Sequence, residues 1–288
     1  MITTQIVGGL GNQLFQIATG RALASRLGVE MRLDTRYFKR NLPVQDDLYI
    51  HHFSHSAREA HPRDVPAVPY DGLCTYLMAK LRGYRGRIFR EKSLAYDPAF
   101  ETLQDNTYLS GYWQSELYFK DYADEVRAAL RIVTPPSTEN AEVLAEIGET
   151  LAVSLHIRRG DYVTNAKFNA IYGTCDLDYY RAAAEMIAEK TGQQPTFFAF
   201  SDDPQWVRDN LSLPYHLRII GHNTPATSYE DIRLMSACRH HILANSSFSW
   251  WGAWLNPRAD KIVISPRRWL ADPKLQQHDI ISRDWITI

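Results

Sequence analysis

His156, Arg158, Arg159 and Asp161 stand together in "LAVSLHIRRGDYV", residues 151–163, directly behind an apolar run. Leu151, Val153, Leu155 and Ile157 alternate with small or polar partners, so the run reads as a strand, and charges at its carboxyl end suggest a ligand. A guanidinium offers a planar fork of donors matched to phosphate oxygens, and His156 could meet a base or sugar edge. The cluster therefore suits a nucleotide diphosphate. A surface Arg–Asp pair that merely closes a strand is the plainer alternative.

Three further stretches carry chemistry. In "FFAFSDDP", residues 197–204, Ser201, Asp202 and Asp203 lack the spacer of a metal-binding D-x-D, and adjacent side chains diverge, so joint chelation is awkward. A carboxylate can instead accept from N1–H and N2–H of guanine, which makes Asp202 or Asp203 a candidate base reader. Either could equally cap the helix that opens at Pro204. In "HHILANSSFSWWGAWLNP" a strand ends at Ala244, and Asn245, Ser246, Ser247 and Ser249 lead into a helix whose free N–H groups form a phosphate site. Ser246 and Ser247 are the expected contacts. Trp250, Trp251 and Trp254 have helical spacing and are expected in the core, supporting the loop. In "GGLGNQLFQ", Gly8, Gly9 and Gly11 permit close backbone approach, and Asn12 and Gln13 carry amides suited to sugar hydroxyls. A tight turn without a ligand stays open here. The dinucleotide fingerprint is matched only weakly, since the third glycine is missing and only Asp34 could serve as the distant acidic residue.

The elements that must position these groups follow from periodicity. The chain opens as strand, glycine-rich turn, helix with Leu14, Ile17, Ala18 and Leu23 on its apolar side, and a strand at Val29–Leu33. Residues 40 to 105 are irregular and rich in His, Arg, Pro and Tyr; a helix is expected at Tyr70–Leu81, and acceptor contacts are expected in this region. A strand at Tyr108–Gly111 and one helix through Val126 and Leu130 come next. The proline pair at 135–136, with Ser137 or Thr138 as a cap, puts a domain boundary near 134. Beyond it strands and helices alternate as in a doubly wound parallel sheet, in which ligands bind outside the carboxyl ends of the strands.

Composition sets bounds. With 288 residues and 45% hydrophobic content, two moderate cores are expected rather than one large one. A net charge of −1 favours neither nucleic acid nor an anionic membrane through bulk electrostatics. Cys74, Cys175 and Cys238 are too scattered for zinc or a redox pair and read as reduced thiols. No leader-like segment opens the sequence, and no apolar run approaches the roughly 18 residues of a membrane span, so a cytoplasmic protein is expected.

"GGLGNQLFQ", "SGYWQSELYF", "HIRRGDY", "FSDD" and "NSSFSWWGAWL", in this order from Gly8 to Leu255, resemble the α-1,2-fucosyltransferases of glycosyltransferase family 11. The resemblance implies an α/β GT-B architecture of two Rossmann-like domains facing across a cleft. The N-terminal one, 1–134, would lie on the acceptor side, and the C-terminal one, 135–288, would bind GDP-fucose. It implies an inverting transfer of L-fucose from GDP-β-L-fucose to the 2-hydroxyl of a terminal β-galactoside, with no metal and no cofactor. Arg158 would neutralise the β-phosphate of departing GDP, His156 and one of Asp202 and Asp203 would hold guanosine, and Ser246, Ser247 and Phe248 would line the diphosphate. Arg159, Gly9, Gly11, Asn12 and Gln13 complete the expected GDP-fucose contacts. Asp161 is the candidate base, or else a structural partner of Arg159. Galactose-terminated oligosaccharides or glycolipids are the expected acceptors, from O-antigen of lipopolysaccharide, capsule or free sugar, with peripheral membrane association left open. Alternatives are an α-1,6 or protein O-linked fucosyltransferase, a GDP-sugar-binding protein without turnover, and a glycosidase using Asp161 with Asp202 or Asp203 about 5 to 10 Å apart.

Overall fold

Parallel strands dominate both halves of the computed structural model, which describes residues 1–39, 47–67, 77, 80, 83–275 and 278–288. The chain divides into one unit of Met1–Val133 with His278–Ile280, and a second of Thr134–Gln277 with Ile281–Ile288.

In the first unit, strands β1 (Ile2–Gln5), β2 (Met31–Asp34), β3 (Arg58–Glu59), β4 (Arg87–Arg90) and β5 (Thr107–Ser110) form a parallel sheet in the order β3-β2-β1-β5-β4. The helix Leu10–Leu27 crosses from β1 to β2 and buries Leu14, Ile17, Ala18 and Leu23 completely, as its periodicity requires. Its left-handed closing residue, Gly28, lets the chain turn, and β2 begins at Met31 rather than Val29. The single helix expected after β5 is absent. Two 3₁₀ turns, Glu116–Tyr118 and Lys120–Tyr122, precede a short helix at Ala123–Ala129. Trp113 adopts a positive φ of 59° and Phe119 leaves the helical region, so the apolar spacing that mimics one helix is broken twice. Apart from Leu77 and Lys80, the helix expected at Tyr70–Leu81 lies outside the described residues.

In the second unit, β6 (Ala152–Ile157), β7 (Thr196–Ser201), β8 (His216–Ile220), β9 (His240–Ile242), β10 (Val263–Ser265) and β11 (Ile286–Thr287) form a parallel sheet in the order β11-β10-β9-β6-β7-β8. All six residues of β6 are buried, because a central parallel strand is covered on both faces. Val153, Leu155 and Ile157 pack with Phe197, Ala199 and the Ala183–Ala184–Ile187 face of the helix Leu177–Thr191. The strand order reverses direction between β6 and β9, the place where an open α/β sheet leaves a ligand crevice. Burial raises the thiol of Cys175 to about 11 and also raises that of Cys238; both are free, whereas Cys74 lies outside the described residues. Among the described residues no helix is long and apolar enough to cross a membrane.

Candidate functional site

The loop after β6 is built around one guanidinium. Arg158 donates through Nη2 to Asp161 Oδ1 at 2.6 Å and pairs through Nη1 with Asp202 Oδ2 at 2.9 Å. Its guanidinium carbon lies 5.2 Å from the centre of the Tyr162 ring, which is itself stacked on Tyr172 at 4.7 Å and 6°. Burial alone would favour loss of the proton, but the Asp202 and Asp161 carboxylates prevail and hold the Arg158 pKa above its ordinary value. Asp161 thus partners Arg158, not Arg159. Asp202 also accepts from the backbone N–H of Arg159 at 2.9 Å, so it ties the loops after β6 and β7 together. Gly160 is needed for this: a side chain there would collide with the Asp202 carboxylate.

His156 stands one register step inside the sheet, paired with Phe200, and is only 4% exposed. Burial, helped by the nearby Arg158 charge, lowers its pKa to about 3, so the ring is neutral. Its Nδ1 is buried without a hydrogen-bond partner, and its ring lies 5.6 Å from that of Phe248. That contact brings the end of β6 against the turn after β9. There Ser246 caps the helix Ser247–Leu255 by accepting from the Phe248 N–H, and Asn245 donates to the Tyr172 carbonyl at 2.9 Å. Trp250 and Trp251 are fully buried and Trp254 nearly so, with Trp250 stacked on Trp254 at 12°; they are the floor of this turn. Truncating one would cost about 3–5 kcal/mol.

Asp203 caps the helix Pro204–Asn210 by accepting from the Trp206 N–H at 3.1 Å. Its Oδ2 lies 3.6 Å from Arg159 Nε, and the Arg159 guanidinium rests 3.7 Å from the centre of the Trp206 ring. Arg158 and Arg159 are therefore outnumbered by Asp161, Asp202 and Asp203. The cluster is not a basic patch, and an anion could meet it only through aimed donors such as the remaining Arg158 N–H groups or the helix N-terminus after Ser246. Among the described residues no group of three or more His, Cys, Asp or Glu side chains is placed to hold a metal ion.

The glycine-rich turn lies in the other unit, at the carboxyl end of β1. Gly8 has φ +76°, and a side chain there would meet Asn12 Nδ2 at 2.9 Å and Tyr112 at 3.5 Å. Asn12 Oδ1 accepts from Gln114 Nε2 at 2.7 Å. Gly9 is the N-cap of the helix Leu10–Leu27, and Gly11 is buried inside its first turn. Gln13 is tied into its own loop. It is fully buried, donates to the Gly8 and Asp47 carbonyls and accepts from the Tyr49 N–H, so its amide holds the loop. Asp34 ends β2 as a dinucleotide fingerprint would require, yet it is buried between Arg36 and the Tyr108 hydroxyl.

Sequence reasoning overlooked three partners in the second unit. Tyr162 follows Arg158 at the i,i+4 spacing of a helix face, a signal that was available. Trp206 under Arg159 and Tyr172 under Tyr162 come from separate turns, and no local spacing announces them.

The profile of the family described as Glycosyl transferase family 11 matches residues 1–288. An Escherichia coli protein named alpha-1,2-colitosyltransferase is 30% identical over 100% of this chain and 99% of its own length. The O-antigen biosynthesis glycosyltransferase WbnK of Escherichia coli is 29% identical over 92% of this chain and 93% of its own. The human galactoside alpha-(1,2)-fucosyltransferase 1 is 26% identical over 51% of this chain and 42% of its own. A crystal structure of POFUT1 in complex with GDP-fucose superposes with a TM-score of 0.50 at 14% identity, covering 99% of this chain and 97% of that one, a likeness of fold alone.

Proposed function

This chain belongs to glycosyl transferase family 11 and has the GT-B fold of two Rossmann-like units, and from that premise we propose that it is an inverting α-1,2-fucosyltransferase. It would move L-fucose from GDP-β-L-fucose to the 2-hydroxyl of a terminal β-galactoside. The observation that carries this reading is the Arg158 guanidinium, held between Asp161 and Asp202 two residues after His156, whose ring meets Phe248.

As the bond from fucose C1 to the diphosphate breaks, positive charge grows on the sugar and negative charge on the leaving GDP. Donors fixed at the diphosphate stabilise that state more than the ground state. Arg158 donates from Nη2 to Asp161 and is ion-paired through Nη1 with Asp202, and its other N–H groups would meet the β-phosphate. Ser246, Ser247 and Phe248 would line the diphosphate at their helix N-terminus. Neutral His156 and Asp203 Oδ2 would meet guanosine, with Arg159 alongside, whereas Asp202 positions Arg158. Asp161 would take the acceptor proton through Oδ2, since Oδ1 is occupied by Arg158. Gly9, Gly11 and Asn12 stand as substrate contacts of the N-terminal unit.

The relative named alpha-1,2-colitosyltransferase favours a second reading, in which the sugar transferred is colitose. Incubating the protein with lactose, EDTA and either nucleotide sugar separates them. GDP plus a fucosylated trisaccharide is expected; transfer from GDP-colitose alone selects the second reading. GDP binding without transfer from either would leave a sugar-sensing module, and loss of transfer that one added metal restores would end the metal-independent mechanism.

A further inference from the structure

The N-terminal unit has its own point where the strand order turns, between β1 and β5, and the loops there are unlike a plain turn. Glu91, just after β4, accepts from the Tyr112 N–H through Oε2 at 2.7 Å and from the Trp113 N–H through Oε1 at 2.9 Å. Both carboxylate oxygens are thus bound to backbone, and burial raises the Glu91 pKa above the usual carboxylate range despite those two bonds. Trp113 sits at φ 59°, a left-handed conformation that a bulky residue adopts only when its surroundings impose it. Its indole is wholly buried, stacked on Phe89 at 5.7 Å and 12°. The same turn leaves the neighbouring Tyr112 43% exposed, over Gly8 and beside the Asn12–Gln114 amide pair.

A desolvated carboxylate and a strained backbone are a costly way to keep one aromatic ring out of the core, and such strain points to function. We propose that Tyr112 is an acceptor-positioning residue: its ring is the platform for the C–H face of the acceptor sugar, and the Asn12–Gln114 pair meets that sugar's hydroxyls. Glu91, with both oxygens engaged, acts by holding Tyr112 and not as a base. This assignment rests on the reading of the chain as a transferase acting on a sugar hydroxyl.

The test is a split of kinetic constants, backed by direct sugar binding. Tyr112→Ala is expected to raise the KM for lactose about tenfold, the scale of one lost aromatic contact, while GDP affinity and melting temperature stay at wild-type values. Tyr112→Phe, which keeps the ring, should stay near wild type, and Glu91→Gln should move the lactose KM in the direction of Tyr112→Ala. An unchanged lactose KM in Tyr112→Ala, or an equal loss of GDP affinity, overturns the assignment. Saturation-transfer NMR of lactose on GDP-loaded protein gives a readout without turnover. If the wild type binds lactose through Tyr112 but transfers nothing, the reaction is misread and the subsite stands; if Tyr112→Ala binds lactose as the wild type does, the subsite falls whatever the reaction.

Discussion

The two proposed ligand sites, one in each unit, are built on the same scaffold and carry opposite chemistry. Both lie outside the carboxyl ends of parallel strands where the strand order turns, β6 with β9 in one unit and β1 with β5 in the other. The C-terminal crevice gathers Arg158, Arg159, Asp161, Asp202 and Asp203 around a neutral, buried His156. The N-terminal one offers glycine backbone, an amide pair and an aromatic ring, and its carboxylate, Glu91, is turned entirely onto backbone. A sheet of this kind fixes where loops converge, and loop composition decides whether the place suits a diphosphate or the nearly neutral surface of a sugar.

The strongest way to break this contrast is to remove the charge at its centre. Arg158→Ala should lower kcat/KM by at least about 10³-fold, the effect of losing an aimed donor at a leaving anion, with circular dichroism unchanged. Arg158→Lys should rescue little, because a point charge replaces a fork held by two carboxylates. Near-normal kcat/KM in either variant would remove Arg158 from its role. Next is Asp161→Asn, for which kcat should fall at least about 100-fold with GDP affinity nearly intact if Asp161 is the base. Calorimetry with GDP beside the kinetics decides: parallel losses would make Asp161 only the holder of Arg158.

The neutral histidine gives a stability signature. The pKa of His156 is about 3 in the folded chain against an ordinary 6.5, so between these values the unfolded chain binds more protons and stability falls as pH drops, by about 1.4 kcal/mol per pH unit. Asp231, raised by burial to about 7 from an ordinary 3.8, works the other way, with stability falling as pH rises through that window. The wild-type curve alone is therefore ambiguous, but its difference from His156→Gln in urea unfolding at pH 7 and pH 5 should show the histidine's slope. A difference that does not change with pH would mean the ring is charged or exposed. Smallest is Gly160→Ala, expected to displace Asp202 and lower kcat/KM about tenfold with the KM for lactose unmoved.

Much of the second unit was legible because its signals are local. Apolar runs, caps and intervening helices recur at the spacing of a doubly wound sheet, so the strand holding His156, the loop holding Arg158 and the helix start at Ser246 could be placed from the sequence. In the first unit β4 sits at a sheet edge with Arg87 and Ile88 exposed, and it carries little of the alternation that betrays a strand. The break at Trp113 depends on Glu91, more than twenty residues upstream, and no local propensity records it. Within the site the same limit holds. Asn12 and Gln13 are adjacent amides, yet one is half-buried and bonded to Gln114 and the other is locked inside the loop. Asp202 and Asp203 likewise differ in what the tertiary fold sets against them: the Arg158 guanidinium and the Arg159 N–H for one, a helix start and the Arg159 guanidinium for the other.

The close approach of Gly160 to Asp202 also binds two sites into one mutational unit. A side chain at position 160 would push the Asp202 carboxylate aside, and loss of that carboxylate frees Arg158 and the Arg159 backbone from their shared anchor. The second of two such changes should then cost little, so Gly160→Ala in an Asp202→Ala background is expected to fall well short of additive. The order of change matters: a side chain at 160 meets resistance only while the Asp202 carboxylate is in place, so 202 is the position that sets what 160 can become.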